Sequence, residues 1–221
     1  MIFTTFRRTG WLSSVASSIK RLIISVPFCI IDATVATMKR ERRWIAWSAV
    51  AAAAVVGLSF AASDSALAGA IAATRYSARF SALVFALALA ARAGRPVQLG
   101  THQAELTLAF VAAHGIHYAT VVARAAIEPE NQLRGLSVAP LAVVGAGFGL
   151  LALLALTARA QSAWGARTHR IAFGVVGLLL AVALGSRARI FVPSALALSA
   201  LAVAFVWRVA AQLLVRGSGD C

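Results

Sequence analysis

HRIAFGVVGLLLAVALGSRARIFVPSALALSALAVAFVWRVAA, residues 169–211, decides how the rest of the chain is read. Two apolar runs, at about 169–186 and 190–211, are parted only by Arg187 and Arg189. Each approaches the roughly 20 residues that carry a helix across a hydrocarbon core. Neither shows the alternation with period two that a membrane barrel strand needs. The pair reads as two transmembrane helices joined by a very short turn.

Working back towards the N-terminus, four more apolar segments follow the same pattern. They lie at about 45–62, ending before Asp64; 78–93, from Arg79 to the Arg92–Arg95 loop; 103–123; and 138–157. The polar stretch RAAIEPENQLRG, with Pro129 and Gly135 as breakers, separates the third from the fourth. TARAQSAWGARTHR leads into the fifth, and the tail RGSGDC is polar. The expected fold is all-α: a polytopic membrane bundle of about six transmembrane helices over 38–214, with 215–221 as a polar tail. Composition demands lipid as the solvent. The chain is 61% hydrophobic and 13% charged, where a soluble domain has about 25% charged residues and less than half apolar. A water-soluble fold of this size could not hide so much apolar surface. Helices satisfy their own backbone hydrogen bonds, as hydrocarbon requires.

Residues 1–37 form a basic extension of different character, with Arg7, Arg8, Lys20 and Arg21 among scattered Ser and Thr. Its one apolar run, LIISVPFCII, is short, is broken by Pro27 and is followed by Asp32, so it is not read as a span. No signal cleavage site stands out. An interfacial amphipathic helix is one reading. The other is a natural start at Met38, since MKRERRW before an apolar run resembles the opening of an inner-membrane protein.

The net charge of +14 would point to nucleic acid in a soluble protein. Here the basic residues sit in the gaps between apolar runs, where they set topology, and no nucleic-acid partner is expected. With the start of the first helix inside, one side holds Lys39, Arg40, Arg42, Arg43, Arg92, Arg95, Arg159, Arg167, Arg170, Arg208 and Arg216. The other holds Arg75, Arg79, Arg124, Arg134, Arg187 and Arg189. The excess places both termini in the cytoplasm of a multi-pass protein of the bacterial inner membrane. Loops this short leave no room for an extramembrane catalytic domain. Cys29 and Cys221 lie near opposite ends and supply neither a disulfide framework nor a zinc site. Gly145 and Gly149 in GAGFG are spaced for close helix packing rather than for a nucleotide loop, which would need a strand–turn–helix setting.

Chemistry in this chain falls to four histidines. His102 lies at the inner end of the third helix, His114 and His117 lie within it, and His169 opens the fifth. An ionisable group inside a membrane is costly and marks a functional candidate. A neutral imidazole can ligate a metal, and haem iron accepts two from facing helices. His102 and His117 are separated by roughly 22 Å along the helix axis and by roughly 60° around it. His114 and His117 are neighbours at i and i+3. Depth alone matches His169 to His102. Glu105 is the one carboxylate that could join the histidines. A proton- or sodium-coupled transporter is therefore weakly supported.

Three passages resemble the ferric reductase-like transmembrane family. They are RYSARFSALVF (75–85), ELTLAFVAAHGIHYA (105–119) and ALTARAQSAWGARTHRIAFG (155–174), within a likeness covering roughly 43–210. That family has a six-helix core with histidines on its third and fifth helices. It includes the haem-carrying membrane subunit of the bacterial methionine-sulfoxide reductase system. The resemblance implies haem b, with His117 in the third-helix place, His114 beside it, and His169 opening the fifth helix; His117 and His169 are then the expected ligands of the iron. One departure stands out. Haem-binding members usually carry a second histidine further along the fifth helix, where this chain has Val182. One haem, a displaced haem and no haem all fit that pattern. The chain carries no flavin- or nicotinamide-binding domain, so a redox partner protein or quinol would supply electrons. Two functions follow as expectations: a haem b electron-transfer subunit, or a non-catalytic membrane protein of assembly or partner binding on the same scaffold.

Overall fold

The computed structural model describes residues 42–91, 102–127, 138–188 and 191–217, with backbone alone at 138–144 and 213–217. The extension 1–37, Cys29, Met38, the Arg92–Arg95 loop, the loop from Glu128 to Gly135, and Cys221 lie outside the described residues. Among the described residues every regular element is a helix: α1 (Arg43–Ala61), α2 (Ala66–Ala91), α3 (Gln103–Ile127), α4 (Val138–Thr157), α5 (Ala163–Ala188) and α6 (Val192–Gly217). Four of them, α1, α3, α5 and α6, are long and apolar enough to cross a membrane. The described apolar part of α4 runs Gly145–Thr157.

Local chemistry fixes several of the helix starts. Ser65 caps α2 by accepting the backbone N–H of Ala68 at 3.1 Å, and Ser162 caps α5 by accepting that of Gly165 at 3.1 Å. Pro193 falls in the first turn of α6, where a missing N–H costs nothing. Hydroxyls along the helices bond back to their own backbone. Ser59 donates to the Val55 carbonyl at 2.7 Å, Thr74 to Ala70 at 2.8 Å, and Thr107 to Gln103 at 2.9 Å. Each polar group thus finds an acceptor without water.

Helix α2 is the hub. It packs against α1, α3 and α6, and its buried residues run from Gly69 to Ala91. Helix α4 touches α3 and α5, and α6 touches α5 and α2, so α2, α3, α4, α5 and α6 close into a ring. Helix α1 lies outside the ring in the groove between α2 and α3. Small residues make that groove shallow: Ala52, Ala109 and Ala113 are buried, and Ser48 donates across it to the Ala109 carbonyl at 3.0 Å. Within the ring, Phe85 of α2 stacks on Phe173 of α5 at 4.4 Å and meets Phe110 of α3 edge-on at 4.9 Å. All three rings are fully buried. The outside is the reverse of a soluble surface, with Leu156 at 81%, Val203 at 69% and Phe205 at 58% exposed. Such a belt needs a bilayer against it.

The structure redraws two boundaries. Helix α2 begins at Ala66, not near 78, and α5 begins at Ala163, not at His169. Arg79, read as a span start, lies inside α2 and is 7% exposed, its guanidinium held by Ser194 and the Arg75 carbonyl. The glycine reading also changes. A Cβ at Gly145 or Gly149 would meet nothing within 4 Å, whereas one at Gly147 would collide with the Tyr118 hydroxyl. Residue 147 lies on the opposite side of α4 from 145 and 149, and that side faces the bundle.

Two stability outcomes follow. Phe85→Ala should destabilise the protein by about 3–5 kcal/mol, seen as a lower thermal midpoint in detergent, while Phe205→Ala at the lipid face should change it little. Gly69→Ala should cost about 1–3 kcal/mol, because its Cβ would come 2.6 Å from Phe60 Cδ1 and 3.1 Å from Phe60 Cα. Gly174→Ala, with open space around it, should be neutral or gain about 0.5–1 kcal/mol. Equal effects of the two glycine changes would contradict this packing.

Candidate functional site

Helices α2 and α3 run in opposite directions, so an i, i+4 pair on one meets an i, i+3 pair on the other. Ser81 Oγ lies 2.8 Å from His114 Nδ1, and Ser77 Oγ lies 3.1 Å from His117 Nδ1. Ser81 also donates to the Ala78 carbonyl at 2.9 Å. With the Ser81 proton on that carbonyl, His114 donates from Nδ1 to Ser81; with it on Nδ1, the ring accepts. In the first arrangement Nε2 keeps a lone pair. Thr120 Oγ1 lies 3.4 Å from Ser77 Oγ and donates to the His117 carbonyl at 2.7 Å, so the whole strip is bonded. The two imidazoles are 5.1 Å apart between centroids. Tyr118 packs against His114 at 5.0 Å and stacks on Phe148 of α4 at 4.5 Å.

These rings form one wall of a half-open cavity of about 590 Å³ lined by residues of all five helices of the ring. That size falls in the range of about 300–1,000 Å³ typical of cofactor and ligand sites. Val176, Leu180 and Val182 of α5 and Leu150 and Leu151 of α4 also line it. Phe110, 5.2 Å from His114, joins the site to the buried phenylalanine cluster. Three cations line the same cavity: Arg75, Arg79 and Arg187. Arg79 donates from Nε and Nη2 to Ser194 Oγ, at 3.0 and 2.8 Å, and from Nη1 to the Arg75 carbonyl. Its guanidinium sits 4.3 Å from the centre of the Phe191 ring and 5.9 Å from that of Tyr76.

The other histidines lie towards the opposite end of the bundle. His169, 4% exposed, has its Nδ1 3.1 Å from Thr157 Oγ1. Thr157 Oγ1 also lies 2.6 Å from the Leu153 carbonyl. The His169 ring is 5.8 Å from Phe173. His102 Nδ1 is 4.0 Å from Glu105 Oε2, its ring lies 6.0 Å from Trp44, and Glu105 Oε1 is 3.8 Å from Arg159 Nη2.

The structure therefore brings His114 and His117 together and leaves His102 and His169 apart from them. His102 stands about 18 Å before His114 along α3, and His169 about 10 Å before Val176, where α5 first lines the cavity. Phe173, Phe85 and Phe110 stand in ring-to-ring contact between His169 and His114. The two expected ligands stand in different surroundings: His117 lines the cavity, with Val182 among the α5 residues that also line it, and His169 packs against Phe173. Among the described residues no group of three or more His, Cys, Asp or Glu is placed to hold a bare metal ion. Sequence reading passed over Ser77, Ser81, Tyr118 and the inward role of Arg79. The signal was present in the spacing: two serines at i, i+4 in an apolar segment are natural partners for two histidines at i, i+3.

A comparison with known proteins finds no matching family model, no similar curated protein and no similar solved structure.

Proposed function

We propose that this chain is a haem b-type electron-transfer subunit of the bacterial inner membrane, holding one haem in the α2–α5 cavity with His114 as its axial ligand. The observation that carries the reading is the placement of His114: its Nδ1 lies 2.8 Å from Ser81 Oγ, which orients the ring, and the ring lines the cavity. A ligand imidazole oriented through its other nitrogen is the usual construction of a haem or metal site. The residues fit one axial imidazole and not two, since aliphatic Val176, Leu180 and Val182 line the α5 wall. When bound, the group would supply a one-electron couple that the chain's own side chains lack. The chain's part is to orient His114 and to close the inner end of the cavity with the Phe85–Phe110–Phe173 cluster. Electrons would come from a partner protein or quinol. The likeness to the ferric reductase-like family also implies haem, but it puts His117 in the third-helix ligand place, with His114 beside it.

Both termini are taken as cytoplasmic on the basic-residue bias. Arg79 belongs to the bundle interior rather than to a loop, so removing it from the outer side strengthens that bias. The second reading, a non-catalytic membrane protein on this scaffold, draws on one observation: no histidine on α5 lines the cavity.

Protein purified from haem-sufficient cells should show a reducible Soret band, and carbon monoxide should shift it in the reduced state because one axial position is open. His114→Ala should remove or shift the band, whereas His169→Ala should leave it unchanged. A colourless preparation would support the non-catalytic reading, and loss of the band in His169→Ala alone would move the site to the other end of the bundle. For topology, a C-terminal alkaline phosphatase fusion should be inactive and a C-terminal green fluorescent fusion bright. The reverse pattern would place the C-terminus outside.

A further inference from the structure

The cavity holds more positive charge than its surroundings explain. Arg75, Arg79 and Arg187 all line it, and no lining residue is Asp or Glu. Among the described residues the ion pairs all involve Glu105, near the other end of α3. Arg79 is 7% exposed, and its guanidinium is held by Ser194 Oγ, the Arg75 carbonyl and the face of Phe191, all of them neutral. Neutral acceptors hold the fork in place but do not cancel its charge. Burying a cation in a low-dielectric bundle is costly unless an anion stands near it. Arg75 and Arg187 line the same cavity from exposed positions and add positive charge at its rim.

We infer that this end of the cavity, at Arg79 and Arg187, is a binding subsite for the acidic group of an amphipathic anion. The guest's apolar body would lie along Leu150, Leu151, Val176 and Leu180, and its carboxylate or phosphate would accept from the guanidinium groups. Arg79 is already oriented by two bonds from one edge to Ser194, so little side-chain freedom is lost when an anion arrives. The same chemistry has two sources. One is the pair of propionates that haem would bring under the reading above. The other is the phosphate headgroup of an anionic lipid entering between helices. The subsite itself does not depend on which.

The test uses the full chain in zwitterionic detergent. Hemin and hemin dimethyl ester, equal in shape but different in charge, are titrated by absorbance. Dioleoylphosphatidylglycerol and dioleoylphosphatidylcholine are compared by native mass spectrometry. At least one anionic probe should bind about tenfold or more tightly than its neutral counterpart. That ratio should fall towards one in Arg79→Gln and in Arg187→Gln, while Arg187→Lys keeps part of it. Arg187 is exposed, so its variants keep the test available should Arg79→Gln fail to fold. Discrimination on hemin identifies propionates as the anion, and discrimination on the lipids identifies a headgroup phosphate; either supports the subsite. His114→Ala should weaken hemin binding without changing the acid-to-ester ratio, so failure of the haem reading is seen separately from failure of this one. No preference for either anionic probe, or a preference untouched in both glutamine variants, would overturn the inference.

Discussion

A polar side chain inside hydrocarbon has no water to fall back on, so its partner must come from the chain itself. The bonds from Ser81 to His114 at 2.8 Å and from Ser77 to His117 at 3.1 Å meet that demand, and much of the bundle is arranged around them. They fix the register of α2 against α3 at two points one turn apart. A slip of one residue would carry both serines away from both rings at once. With the register set, Phe85 falls beside Phe110, and the stacked contact with Phe173 draws α5 onto the same cluster. Gly177 permits that approach, since a Cβ there would lie 3.3 Å from Phe85 Cε1.

Helix α2 also explains how the sixth helix is held. Arg79 reaches Ser194 in the first turn of α6 and lies over Phe191 just before it. One side chain therefore ties the start of α6 to the hub and lines the cavity. The ring of five helices follows from three kinds of contact: hydroxyl to imidazole, aromatic to aromatic, and guanidinium to hydroxyl. Each kind needs close approach, and Ala and Gly at the helix interfaces permit it. The cavity is what remains where the α5 wall carries aliphatics opposite the α3 imidazoles.

Much of this was legible in the sequence, and for a physical reason. Apolar length reports directly on a hydrocarbon slab, so six apolar segments correspond to six helices, and α4 runs over the same 138–157 as its segment. The start of α2 was not legible, because a hydropathy reading treats Arg75 and Arg79 as residues that must stay near water. Only the tertiary partners Ser194 and Phe191 allow Arg79 inside. Histidine spacing on α3 correctly joined His114 to His117, since that relation lies within one helix. The relation of either ring to His169 lies between helices and depends on the axial offset of α5, which no sequence spacing encodes. The inward glycine of α4 was missed for the same reason: Gly147 is set by Tyr118 on a neighbouring helix, not by the Gly145–Gly149 repeat.

A density map at side-chain resolution, from protein purified from haem-sufficient cells, would reveal whether the cavity is a site at all. This account expects density for a planar guest beside His114, its acidic groups against Arg79 and Arg187, and only packed protein around His169. A map in which α5 closes inward and Val176, Leu180 and Val182 fill the space against His114 and Tyr118, or in which a guest ligates His169, would contradict it.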